Sequence, residues 1–82
     1  MRPWDADVLV TPNDLAGFLA RLERQPNMRR LEQGSGEVTV RVRVQGTNRD
    51  DARAAAERAV REAFPQEQLR ALAVLHCSEV AG

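Results

Sequence analysis

Residues 38–45 alternate without a break: Val38, Val40, Val42 and Val44 fall on one side of the chain, and Thr39, Arg41, Arg43 and Gln45 on the other. A β-strand has a side-chain period of two, so the pattern reads as a strand with one oily face and one wet face. A strand of this kind belongs in an antiparallel sheet covered on one side only, because strands buried on both faces carry continuous apolar runs. The rest of the chain has to supply the single cover.

Two segments have the right pattern for it. Leu15, Phe18, Leu19 and Leu22 follow helical spacing along one stripe. Thr11 is the expected N-cap of that helix, Pro12 its first residue, and Asp14 an acid suited to its N-terminal end. Pro26 forces a stop near Gln25. Farther on, Ala52, Ala55, Ala56, Ala59, Val60, Ala63 and Phe64 repeat at three and four residues. Thr47 or Asn48 caps this second helix, Asp50 and Asp51 occupy its first turn, and Pro65 closes it. Glu57 precedes Arg61 by four residues, the favourable order for an ion pair along a helix. The alanine face lets the helix lie close to the sheet.

Three further strands complete the set. Before the first helix, "WDADVLV" reads as a short strand with Val8 and Val10 on one face and Asp5, Asp7 and Leu9 on the other. Met28–Gln33 reads as a short, polar strand joined to the valine strand by the Gly34-Ser35-Gly36 turn. Its charges suit a sheet edge, where they discourage pairing with other chains. The last strand lies in "QLRALAVLHCSEV", with room for one helical turn around residues 66–70. There Leu69, Ala71, Ala73, Leu75 and Cys77 alternate with Leu72, Val74, His76 and Val80, and both sets are largely apolar. The final Ala81-Gly82 is expected to be loose.

The order strand, helix, strand, strand, helix, strand resembles the split βαβ of ferredoxin-like folds. The expectation is one α+β domain over residues 1–82: a two-layer βαββαβ sandwich with a four-stranded antiparallel sheet and both helices on one face. In that topology the first and third strands form the central pair. The likeness is to a fold and not to a family, and unrelated functions share it.

Composition narrows the function classes. A chain of 82 residues makes one domain with a small core and no room for a large internal pocket. Twelve basic residues balance twelve acidic ones, so no net field draws in nucleic acid or an anionic membrane. Every basic residue is arginine, which forks onto carboxylate or phosphate. A GC-rich genome encodes the same bias, so the placement of the arginines has to carry any binding argument. No apolar run spans a bilayer and the first residues lack the apolar core of a signal peptide, which makes the cytoplasm the expected location. The single Cys77 forms no internal disulfide and fits a reduced compartment.

The candidate sites follow from these faces. Arg41 and Arg43 face outward beside Asp5 and Asp7, an ordinary balance of charge across neighbouring strands. RNA-binding sheets of this topology add exposed aromatics for stacking bases. Here Phe18 and Phe64 lie on helix core stripes, and Trp4 is placed to cover the end of the core. His76 and Cys77 are consecutive and point to opposite faces, so they cannot act on one substrate. A lone histidine gives no metal set, and no cofactor is expected. The Gly34–Gly36 stretch joins two strands and does not lead into a helix, which makes it a turn and not a phosphate cradle. The expected function is therefore a non-enzymatic interaction module. Its open sheet face, around Leu9, Thr39, Arg41, Arg43, Leu72 and Val74, would meet a protein partner or a second copy, with arginines as a rim around an apolar centre. Sensing of a small metabolite is the rival class, and arginine-mediated nucleic-acid binding is less favoured.

Overall fold

The computed structural model describes residues 1–80. Among them, strands β1 (Arg2–Pro12), β2 (Met28–Gln33), β3 (Val38–Gly46) and β4 (Leu69–Glu79) form one antiparallel sheet in the order β2-β3-β1-β4. Helices α1 (Leu15–Leu22) and α2 (Arg49–Ala63) follow β1 and β3, and a single 3₁₀ turn over Gln66–Gln68 leads into β4. This is the βαββαβ sandwich expected from the sequence, with β1 and β3 central. The expectation for Ala81-Gly82 lies outside the described residues. No described helix is long and apolar enough to cross a membrane.

The valines of β3 do what their spacing requires. Val38, Val40 and Val42 are fully enclosed or nearly so, together with Val8 and Val10 of β1, under Phe18 and Leu22 of α1 and Ala52, Ala56 and Val60 of α2. Burying each such valine favours the fold by about 1.5–3 kcal/mol over leaving it in water. Trp4 is 7% exposed, and its Nε1 donates to the Gly46 carbonyl at 3.1 Å, so it covers the core end where β1 meets β3. Gly46 is tied to glycine by close approach: a Cβ there would meet the backbone nitrogen of Ala52 at 2.9 Å. The β2–β3 turn closes with the Gly34 N–H donating to the Glu37 carbonyl, and Gly36 supplies the one positive φ among the described residues, 98°.

The start of α1 departs from the sequence expectation. Thr11 and Pro12 belong to β1, opposite Ala71 and Leu69, and the helix begins at Leu15 with Asp14 as its cap residue. Pro12 is compatible with a strand end, and pairing with the long β4 outweighs its helix-start chemistry. For α2 the cap is Asn48, whose side chain accepts from the Asp51 N–H at 2.9 Å, while the Thr47 hydroxyl donates to the Asp51 carboxylate.

β4 corrects a second expectation. Leu72 stands opposite Val10 and Val74 opposite Val8, so both face the helices and pack against the core; neither belongs to the open face. The pairing with β1 slips by one residue at Leu75 and again at Arg70. Each slip is a bulge that inserts an unpaired residue and reverses which alternate residues look inward. Leu69, Leu72, Val74 and Cys77 therefore all lie on the helix side, an arrangement that no unbroken alternation allows. The apolar centre expected on the outer face goes with them.

Candidate functional site

The open face is built from alternate residues of all four strands, and the registers set them in rows. One row reads Arg29, Arg41, Asp7, His76 from β2 to β4. Beside it run Arg43, Asp5 and Ser78, and on the other flank Glu32, Thr39, Leu9 and Ala73. Of the residues expected on this surface, the structure brings Leu9, Thr39, Arg41 and Arg43 together and places Leu72 and Val74 beneath it.

Both central arginines are forked onto aspartates. Arg41 Nε and Nη2 donate to Asp7 Oδ1 and Oδ2 at 2.9 and 3.3 Å. Arg43 makes the same contacts with Asp5 at 2.6 and 3.4 Å. These hydrogen bonds, and after them the carboxylate charges, hold both guanidinium pKa values above their ordinary level. Each fork uses two of five N–H donors and leaves the others without a hydrogen-bond partner among the described residues.

Arg29 has no such answer. It stands opposite Arg41, and no carboxylate among the described residues forms an ion pair with it. Like charges directly opposed on neighbouring strands repel. Next to it the surface opens into a recess of about 420 Å³, lined in part by Asn27, Arg29, Arg41, Arg43 and Asp5. Asn27 is held there by two bonds to the Arg43 backbone: its carbonyl accepts from the Arg43 N–H at 2.8 Å and its side-chain amide donates to the Arg43 carbonyl at 3.3 Å. Sequence reasoning missed Arg29 and Asn27. The register that sets Arg29 beside Arg41 depends on an irregularity at Leu31 that has no local signal.

The other polar pair on this face is Ser78 and His76, with Ser78 Oγ 2.7 Å from His76 Nε2. A serine nucleophile needs a base that is itself oriented, usually by a carboxylate, and donors for the oxyanion. Asp7, the residue opposite His76, is held by Arg41 instead. Cys77 points the other way and is 2% exposed, as the alternation with His76 requires. Among the described residues no group of three or more His, Cys, Asp or Glu is placed to hold a metal ion. Set against known proteins, the chain matches no family model, no curated protein and no solved structure.

Proposed function

We propose that this domain is a non-enzymatic protein-interaction module whose open sheet face docks a partner protein presenting carboxylates to Arg29, Arg41 and Arg43. The observation that carries the reading is the unanswered charge of Arg29 beside Arg41, at the rim of the recess. A carboxylate placed there continues the alternation of charge that Asp5 and Asp7 begin. The free donors of Arg41 and Arg43 fix its orientation, and Leu9 and Thr39 form the less charged flank. An interface of this polarity is ordinary for partners that also exist apart.

The test is calorimetric titration of the protein with a glutamate-rich octapeptide at low salt. One-to-one binding is expected, weakening as salt screens the charges and falling about tenfold or more in Arg29→Glu. No binding, or an affinity indifferent to Arg29→Glu, overturns the reading. The recess also falls within the ~300–1,000 Å³ typical of small-ligand sites, which favours a second reading as a sensor of small anions. Succinate and inorganic phosphate are the probes for it. A concentration-dependent rise in melting temperature with either one, without peptide binding, selects the sensor.

A further inference from the structure

The two edges of the sheet are unlike. β2 is six residues long and carries Arg29, Arg30 and Glu32, the short charged kind of edge that resists pairing with other chains. β4 is eleven residues long, and its stretch 71–75, Ala-Leu-Ala-Val-Leu, holds no charge, proline or glycine. Leu75 in its middle is 55% exposed. A long apolar edge with free backbone groups is a template for another strand. The geometry points to a second copy of this chain as that strand, joined β4 to β4 in a continuous antiparallel sheet about a two-fold axis normal to it.

The pairing register follows from the faces. A two-fold axis of this kind keeps the helix layers of both copies on the same side, so helix-side residues must oppose helix-side residues. Setting Val74 and the extra residue Leu75 of both copies around the two-fold axis achieves this on either side of it. Leu72 then meets Cys77 of the second copy, Ala73 meets His76, and Ala71 meets Ser78. A slip of one residue either way opposes Leu72 to His76 or Ser78 and Cys77 to Ala71 or Ala73, with the faces crossed at each of these pairs. A slip of two sets Ala73 against Val74, again crossed, or sets the Glu79 carboxylate against Leu72.

The favoured register has two further properties. It places Arg70 opposite Glu79 of the second copy, and by symmetry closes both ends of the interface with opposite charges. Arg70 has no ion pair among the described residues, and the exposed Glu79 is bound only by Arg2, at 3.2 Å. It also sets the Leu75 bulge next to the two-fold axis, where it lies beside the same bulge of the second copy. A regular strand from another protein has no matching irregularity. This pairing does not depend on the reading of the open face.

The test exchanges the charges. In Arg70→Glu both ends of a homodimer become acid against acid, and in Glu79→Arg they become base against base. In a mixture of the two variants every end is again acid against base. Sedimentation velocity is expected to show a concentration-dependent wild-type dimer, weakened about tenfold or more in each variant alone and recovered on mixing them. Recovery on mixing also shows that both variants are folded. Arg29→Glu, on the open face, is expected to leave the dimer unchanged. A wild type that stays monomeric at ~100 μM, well above the usual range of specific pairing, overturns the proposal. So do variants that dimerise like the wild type, or a mixture no more associated than its components.

Discussion

The rings of Phe18 and Phe64 stack with centroids 4.3 Å apart and planes inclined by 25°. Both are almost fully buried, and they join α1 to the end of α2. A domain of this size rests on a margin near the low end of 5–15 kcal/mol. Removing either ring to alanine costs about 3–5 kcal/mol and is expected to leave little folded protein. The milder pair Phe18→Leu and Phe64→Leu keeps the site apolar. Urea unfolding of both single variants and the double is expected to give a coupling of about 0.5–1.5 kcal/mol between the two positions. Additive effects would mean that the rings share a core without contributing to each other.

Gly46 ends β3 under the first turns of α2, where the Ala52 backbone is too near for a side chain. Gly46→Ala pushes a Cβ against backbone and not against a movable side chain, and overpacking of this kind costs about 1–3 kcal/mol. It should also loosen the Trp4 bond to the Gly46 carbonyl, seen as a shift in indole fluorescence. Gly34→Ala is the control, since a Cβ there meets nothing within 4 Å and the residue has no positive φ. Equal melting temperatures for the two variants would contradict the close approach.

The sequence made the elements and their order legible because their local signals agreed: valines at every second place in β3, alanines at helical spacing in α2, and a Gly-Ser-Gly turn between β2 and β3. The facing of Asp5 and Asp7 toward Arg43 and Arg41 was legible for the same reason, since no slip interrupts that pairing. What stayed hidden depends on bulges. Leu31 puts Met28 in the core and Arg29 beside Arg41, whereas regular pairing from the turn would set Arg30 there. Leu75 and Arg70 turn Leu72 and Val74 inward. A bulge is fixed by the fit of a whole strand to its neighbours and leaves no mark in a window of a few residues. The same limit explains Pro12, whose partner Leu69 lies far along the chain.

Asp7 separates the charge of Arg41 from being wholly unanswered beside Arg29. In Asp7→Asn two guanidiniums stand opposed with no carboxylate in their row, so stability is expected to fall at low salt and recover as salt is added. The urea midpoint measured against sodium chloride concentration reads this directly. The wild type should show a flatter dependence, because Asp7 already answers Arg41. Parallel salt curves for the two proteins would rule out charge repulsion as the cause of any loss.

Cys77 offers an unusually clean titration, because the chain has no tyrosine and no lysine. Between about pH 8.5 and the arginine range no other side chain changes charge. Burial, opposed by the charges of Arg53 and Arg49, pushes the thiol pKa up in the folded protein. The sign follows from linkage. Below the unfolded thiol pKa both states hold the proton and the contribution is fully present. As pH rises past that value the unfolded chain releases its proton first, and stability falls until the folded pKa is passed. Urea midpoints are therefore expected to decline from pH 8 to pH 10.5 in the wild type and to stay nearly level in Cys77→Ala, whatever that substitution costs at neutral pH. An equal decline in both proteins would place the thiol in a solvated setting, contrary to its position opposite Ala6 on the helix side of the sheet.

Leu75 gives the most direct check on the bulge. Deleting it leaves Val74 helix-side and His76 outward in a strand that now pairs with β1 without a slip from Asp5 to Thr11, since Asp7 already faces His76 and Val8 faces Val74. The deletion is expected to keep a cooperative two-state unfolding transition and native near-ultraviolet circular dichroism around Trp4. Deleting Ala73 has the opposite consequence. With Cys77 and His76 held in place, the shortened strand keeps Leu72 inward only by turning Val74 to water and forcing Leu75 under the helices. Losing the Val74 burial alone removes up to about 1.5–3 kcal/mol, with overpacking by the larger leucine added to it. The two deletions remove one residue each from the same strand, two places apart, so propensity and chain length are nearly matched. A Leu75 deletion as damaging as the Ala73 deletion would mean that the slip in register is not where the structure places it.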